Sequence, residues 1–461
     1  MGIFFGTDGF RGEANVFLTA EHAFRLGCFL GEYCREKAGA GETCRVVIGK
    51  DPRRSSYMFE YALSAGLTAC GADAYLLHVT TTPSVGYIVR AEGFDCGVMI
   101  SASHNGYADN GIKLLDAGGE KPCGDMIARA EAYLKTAPPP AFVTGDKIGR
   151  TVDYTEGRNR YAGYLISLSR FSYRGVKVGL DCANGSAFSL APSVFGALGA
   201  QVYCINAAPN GLNINRGCGS TRPEALAAFV KNHDLDVGFA FDGDADRCIC
   251  VDERGNVADG DAILYMSALY LQKAGELDGN KVVCTVMSNS GLCAALEKRG
   301  IGCERVAVGD RHVREGMKRS GAALGGEPSG HVIYGKYAGT GDGILTAVKV
   351  MEIMLGEKKK LSALLEGYRP LPQVLLNVPV NDKGAASAPA VREGVEAAGQ
   401  KYGVRVILRP SGTENAVRIF CEGESAPACR LAAGAQKELV IAPRRGREAN
   451  GGGAGICAGL S

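Results

Sequence analysis

The sequence predicts an α/β protein of four units, and three observations predict it. A short apolar run, a Gly/Asp/Asn turn and a helical pattern follow one another three times. The copies are RVVIGKDPRRSSYMFEYALSAGL (45–67), VKVGLDCANGSAFSLAPSVFGALG (176–199) and KVVCTVMSNSGLCAALEKRG (281–300). The runs are β-rich, and the segments after them space apolar residues three and four apart, as amphipathic helices do. Each copy then meets a second short strand: ADAYLLH (72–78), AQVYCIN (200–206) or CERVAV (303–308). After it comes a Gly-rich polar loop: ISASHNG (100–106), FDGDADR (241–247) or GGEPSGH (325–331). Finally, the 65 glycines among 461 residues are about twice the usual share, which suits tight turns and close backbone approaches to a ligand. Strand–helix alternation of this kind argues for α/β layers.

The elements divide in order. Residues 1–150 carry the SASHNG loop and close after the triple proline of KTAPPPAF (135–142), which cannot continue a helix and reads as a linker. Residues 151–253 carry the acidic loop and 254–370 carry GGEPSGH, with a break near YRPLP (368–372). Residues 371–443 form a smaller α+β unit, with strands at QVLLNVPV (373–380) and VRVIL (404–408) around a small-residue helix. The Gly-rich tail, 444–461, reads as disordered.

Apolar residues at 46% and charged residues at 22% describe a folded chain. A net charge of +2 argues against a nucleic-acid or membrane-surface partner but leaves room for a local basic pocket. Seventeen cysteines, an odd number with no C-x-x-C, show no zinc-ribbon or thioredoxin spacing. They suit reduced thiols in the cytoplasm better than a disulfide framework. The start, MGIFFGTDGFRG, is no signal peptide, and no window approaches about 18 consecutive apolar residues.

Four loops carry chemistry. DGDADR (242–247) sets three carboxylates at alternate positions between apolar runs; they repel one another unless a cation sits among them, and Mg²⁺ takes such oxygen ligands. An EF-hand loop would place Glu253 at its twelfth position, but Arg247 stands where that loop needs Gly, and strands flank it. A solvated acidic turn is the plain alternative. In SASHNG, Ser103 precedes His104; adjacent residues rarely aim at each other, so a capped loop competes with a catalytic serine. GGEPSGH offers a carboxylate, a hydroxyl and an imidazole, groups that suit a sugar. RPSGTENAVR (409–418) gathers Arg409, Ser411, Thr413 and Arg418 around Gly412, and guanidinium with turn N–H groups binds phosphate. No P-loop is present.

Together these segments resemble the α-D-phosphohexomutase superfamily, and within it the branch acting on glucosamine phosphate. FGTDGFRG (5–12), GKDPRRS (49–55), TTPSVGY (81–87), SASHNGYADNGIK (101–113), FDGDADR, VGDRHV (308–313), GGEPSGH, TGDG (340–343) and RPSGTENAVR occur in family order across about 1–440. The resemblance implies four domains around a central cleft, the first three alike. It implies that Ser103 is a phosphoserine, and that Asp242, Asp244 and Asp246 bind Mg²⁺ with an oxygen of that phosphoserine. Arg11, Lys113, Arg247 and His331 match positions that line the reacting end. Glu327 and Ser329 match those that hold sugar hydroxyls. Arg409, Ser411, Gly412, Thr413 and Arg418 match the clamp on the non-reacting phosphate.

The implied reaction converts glucosamine 6-phosphate to glucosamine 1-phosphate through the 1,6-bisphosphate, feeding UDP-N-acetylglucosamine and cell-wall synthesis. The implied assembly is a homodimer. Gly106 and Asn415 stand where the family usually has proline, swaps that cost about 0.4–1 kcal/mol of loop order each. Pro328 stands where this branch usually has Gln. A phosphoglucomutase or phosphomannomutase, a weakened phosphosugar-binding homologue and a metal-dependent phosphatase are the rival readings.

Overall fold

One strand order recurs three times along the chain. In the computed structural model the first sheet holds β1 (Phe5–Gly6), β2 (Gly9–Glu13), β3 (Arg45–Lys50), β4 (Asp73–Val79), β5 (Cys96–Ile100), β6 (Asp109–Leu115) and β7 (Thr151–Asp153). Here β3 runs parallel to β4 and β5, and β6 returns antiparallel to β5. The second sheet holds β8 (Lys177–Asp181), β9 (Gln201–Ile205), β10 (Val237–Phe241), β11 (Cys248–Asp252) and β12 (Val257–Ala258). In it β8 is parallel to β9 and β10, and β11 is antiparallel to β10. The third repeats the scheme with β13 (Lys281–Thr285), β14 (Gly302–Val306), β15 (Leu324–Gly326) and β16 (Val332–Tyr334). Each of the three Gly-rich loops is therefore the turn from the third strand of its unit into the fourth. That is the carboxyl end of a parallel strand, where open α/β sheets place their ligands.

The burial pattern explains the layering. Val46 to Lys50 of β3 are all buried, as a parallel strand between two helix layers must be. Val46 and Ile48 pack on one face with Leu26, Leu30, Leu63 and Leu67. Val47 points the other way, onto Val85, Ile88 and Val89, as the period of two requires. The helices Ala20–Lys37 and Arg54–Ala69 cross backbone to backbone at Gly27 and Gly66. A Cβ on Gly66 would lie 2.1 Å from the Phe24 carbonyl, and one on Gly27 2.2 Å from that of Leu63. The second and third sheets share one core, in which Tyr161, Phe195 and Phe239 meet Tyr265, Leu324 and Met351.

The structure describes residues 2–6, 8–37, 43–122, 124–410 and 415–441; the Gly-rich tail, 444–461, lies outside them. The chain divides into two compact units, 1–369 and 370–461. In the second, β17 (Gln373–Pro379), β18 (Arg405–Pro410) and β19 (Ala416–Glu422) form an antiparallel sheet ordered β17-β19-β18. Val417, Ile419 and Cys421 face Val391, Ala398, Ala432 and Ala433 of its two helices. Among the described residues no helix is long and apolar enough to cross a membrane.

Two local expectations change. The stretch after the triple proline is more than a linker: Val143 and Gly149 donate to the Ala69 and Thr68 carbonyls, and β7 then pairs with β4. Backbone groups beside a sheet edge need partners, and Gly149 lets this strand pass against Ala72, where a Cβ would lie 2.0 Å from the carbonyl. The cysteines also hold a pairing: Cys293 and Cys303 are placed together as a disulfide pair, with Cα atoms 5.4 Å apart. A helix starting at Ser290 and the strand β14 bring that pair together. Sequence spacing does not show such proximity.

Candidate functional site

Ser103 sits at the β5–β6 turn, fully buried, with φ 49°. In this left-handed conformation its Oγ donates to Asp242 Oδ2 at 2.6 Å and lies 3.4 Å from His104 Nδ1. The neighbouring serine and histidine thus do meet, against the expectation for adjacent residues, because the positive φ turns the serine side chain back. His104 keeps one side open to solvent. Loss of water on its other side, then Arg247 and Arg11, pushes its pKa down to about 4, so the ring is neutral at pH 7.

Opposite Ser103, the β10–β11 turn presents Asp242, Asp244 and Asp246, all buried, with carboxylate oxygens within 4.8 Å of one another. The loop reaches this close because residue 243 is glycine. A Cβ there would lie 2.4 Å from the Ser103 carbonyl oxygen. Burial, then Asp246 and Asp244, pushes the Asp242 carboxyl up to about 8. For Asp246 burial acts in the same direction but is outweighed by Lys113, His331 and Arg247, which hold the carboxyl well below its usual range. Among the described residues, Asp244 Oδ1 and Asp246 Oδ1 are buried without a hydrogen-bond partner. Buried anionic oxygens left open in this way are costly unless paired, and the donor set fits a hard divalent cation.

Cations and donors surround the pair of turns. Lys113 Nζ is 2.7 Å from Asp244 and 3.5 Å from both Asp246 and Asp8. Its burial opposes the charge, but Asp244 and Asp8 outweigh it and raise its pKa. Arg247 Nε lies 3.9 Å from Asp242 and 3.8 Å from Asp246. Arg11 pairs with Asp8 and reaches the Ala102 carbonyl at 3.4 Å. His331, on the β15–β16 turn, places Nδ1 3.8 Å from Asp246 and accepts the Gly341 N–H at Nε2. The ring proton therefore stands on Nδ1, facing the carboxylate.

On the same turn Glu327 accepts the Gly309 N–H at 3.0 Å. Ser329 Oγ is buried without a hydrogen-bond partner among the described residues. A cavity of about 460 Å³ opens beside Lys113, bounded by Gly9 and Lys121 on one side and Gly309, Asp310 and His312 on the other. Lys121 ties Asp8 to Asp310, at 2.5 Å from each. In the unit 370–461, Arg409 of β18 stands directly across the ladder from Arg418 of β19. Ser411, Gly412 and Thr413 lie outside the described residues.

Ser103, the three Asp, Arg11, Lys113, Arg247 and His331 are thus brought together, with Glu327 and Ser329 on an adjoining turn. Sequence reasoning missed Asp8, and Thr82, whose hydroxyl donates to Asp244; both lay inside quoted motifs. It also missed Arg53 and Asn215, which donate to the serine turn's carbonyls.

Comparison with known proteins bears on the family and the fold. The phosphoglucomutase/phosphomannomutase alpha/beta/alpha domains I, II and III match residues 2–139, 158–255 and 259–371, and the C-terminal domain of that family matches 375–434. A phosphoglucosamine mutase of Lachnospira eligens is 57% identical over 434 residues, 93% of this chain and 96% of its own. The fold is shared with a phosphoglucomutase/phosphomannomutase family protein of Burkholderia thailandensis, at TM-score 0.79 and 24% identity over 95% and 96% of the two chains. It is shared also with an Aspergillus fumigatus N-acetylphosphoglucosamine mutase solved with GlcNAc-6P and magnesium, at TM-score 0.70 and 18% identity over 95% and 96%. The chain belongs to the phosphoglucomutase/phosphomannomutase family, in its phosphoglucosamine mutase branch.

Proposed function

We propose that the chain interconverts glucosamine 6-phosphate and glucosamine 1-phosphate by phosphoryl transfer to and from Ser103, with the 1,6-bisphosphate as intermediate. The observation that carries the reading is the 2.6 Å bond from Ser103 Oγ to Asp242 inside a buried three-carboxylate cradle. The name borne by the full-length relatives supports the sugar.

Asp242, Asp244, Asp246 and a phosphoserine oxygen on Ser103 would hold Mg²⁺. When bound, that ion neutralises charge on the transferring group, which is much of what such catalysis needs. Lys113, Arg247 and Arg11 add fixed positive charge on the same side. The Ser103 hydroxyl proton is directed at Asp242 Oδ2, and the neutral His104 ring, 3.4 Å from Oγ, adds no charge beside it. His331 orients Asp246 through its Nδ1 proton.

Glu327 and Ser329 would take the sugar hydroxyls. Arg409, Ser411, Gly412, Thr413 and Arg418 would take the distal phosphate, whichever end of the sugar carries it. Four domains, 1–150, 151–253, 254–370 and 371–443, with β7 (Thr151–Asp153) joining the sheet of the first, a homodimer and a cytoplasmic location complete the reading.

The test offers purified chain, Mg²⁺ and a trace of bisphosphate each of glucosamine, glucose and mannose 1-phosphate. The expected kcat/KM is highest for glucosamine 1-phosphate. An equal or higher value for another sugar reassigns the substrate, and free phosphate as the main product makes the chain a phosphatase.

A further inference from the structure

The backbone of the serine turn is gripped by two residues that the mechanism above does not use. Arg53 Nη2 donates to the Ser103 carbonyl at 3.2 Å and to the Asn105 carbonyl at 2.7 Å. Asn215 Nδ2 donates to the same two carbonyls at 2.8 and 2.9 Å. Each oxygen has two lone pairs, and each receives one donor from either side. Arg53 is fully buried and braced by the Asp51 carboxylate. It also reaches Ser101 Oγ and the Gly106 carbonyl, both at 3.4 Å, and that Ser101 hydroxyl accepts the Ser103 N–H at 2.9 Å. Asn215 is anchored elsewhere, its own N–H on the Ala183 carbonyl beyond β8.

We propose that Arg53 and Asn215 are positioning residues that hold Ser103 in its left-handed conformation across both halves of the phosphoryl transfer, an inference that rests on the function proposed above. A serine at φ 49° persists only where its surroundings enforce that conformation. A phosphate on Ser103 sets a near-dianion beside three carboxylates, a load on the turn whenever the proposed Mg²⁺ is not bound between them. The clamp grips carbonyls and not the phosphate, so it acts equally on the free and the phosphorylated serine. It also supplies order that Gly106 does not.

The test uses the full chain with Asn215→Ala, and Arg53→Lys as a second variant that keeps the buried charge. Hydrogen exchange read by mass spectrometry on a peptide spanning 101–107 is expected to speed at least tenfold. The helix Arg54–Ala69 and strands β8 and β10 should stay as in the parent. With glucosamine 1-phosphate, kcat is expected to fall 10- to 100-fold while KM stays within twofold. Gly106→Pro added to Asn215→Ala is expected to recover at least threefold in kcat, since open space surrounds that position.

Unchanged exchange at 101–107 overturns the clamp, whatever the activity. So does faster exchange spread evenly through β8 and β10, a fall shared equally between kcat and KM, or no recovery when Gly106→Pro is added. A parent chain without mutase turnover defeats the proposed function instead, and the exchange measurement then decides the clamp by itself.

Discussion

The β5–β6 turn and the β10–β11 turn hold the same place in two copies of one topology, yet their chemistry is opposite. The first carries the Ser103 hydroxyl on a backbone held by donors. The second carries three carboxylates, two of them with an oxygen that lacks a donor among the described residues. The third copy, at β15–β16, carries Glu327, Ser329 and His331. Topology sets where a loop stands, at the carboxyl end of a parallel strand. The residues on it decide what stands there, and convergence of the copies makes the separate loops one site.

The sharpest way to break the comparison is to empty the first turn. Ser103→Ala is expected to lose turnover by roughly 10⁴-fold or more, the scale on which nucleophiles matter. It should also lose an added mass of about 80 Da, one phosphoryl group, seen on the intact parent chain. Full activity in this variant would falsify the phosphoserine assignment.

Next comes the second turn. Asp244→Asn is expected to cut kcat by about 10²- to 10³-fold, as loss of one strong electrostatic contact does. Equilibrium dialysis should show weakened Mg²⁺ binding, with the circular dichroism spectrum unchanged. Metal-free parent protein that stayed fully active would make the carboxylates a plain acidic turn.

His104 links the two turns through pH. Its pKa is depressed to about 4, against 6.5 for the free side chain, so the unfolded chain binds the proton more readily. The stability due to the neutral ring is complete above pH 6.5 and is lost as pH falls toward 4. Because one side of the ring is open to solvent, screening holds the loss to about 1 kcal/mol. Urea unfolding of the parent and of His104→Gln at pH 7 and pH 4 should show the steeper fall in the parent. Parallel pH dependences would remove His104 from the account.

The smallest effect concerns loop order. Gly106→Pro in the parent background is expected to raise stability by about 0.4–1 kcal/mol through the unfolded chain, read as a modest rise in Tm. A large destabilisation would show that the turn needs the freedom of glycine.

Much of this protein was legible before any coordinates. Strand–helix alternation comes from local periodicity, so the α/β class and the three repeats could be read directly. DGDADR announces itself because three like charges within five residues are costly without a partner. The Ser103–Asp242 bond follows less directly: each residue sat in a recognisable motif, but 139 residues separate them.

What the sequence by itself determined is the inventory: which loops are polar within apolar surroundings, which glycines permit close turns, and which side chains carry charge. Tertiary structure alone decided the pairing. Lys113 meets Asp244 across 131 residues, and Asn215 meets the Ser103 carbonyl across 112. A lone Asn bonding to a distant backbone carbonyl leaves no periodicity, charge run or spacing to read. Its partner is fixed by how the sheets pack, and packing sums weak contacts from the whole chain, which no local window contains.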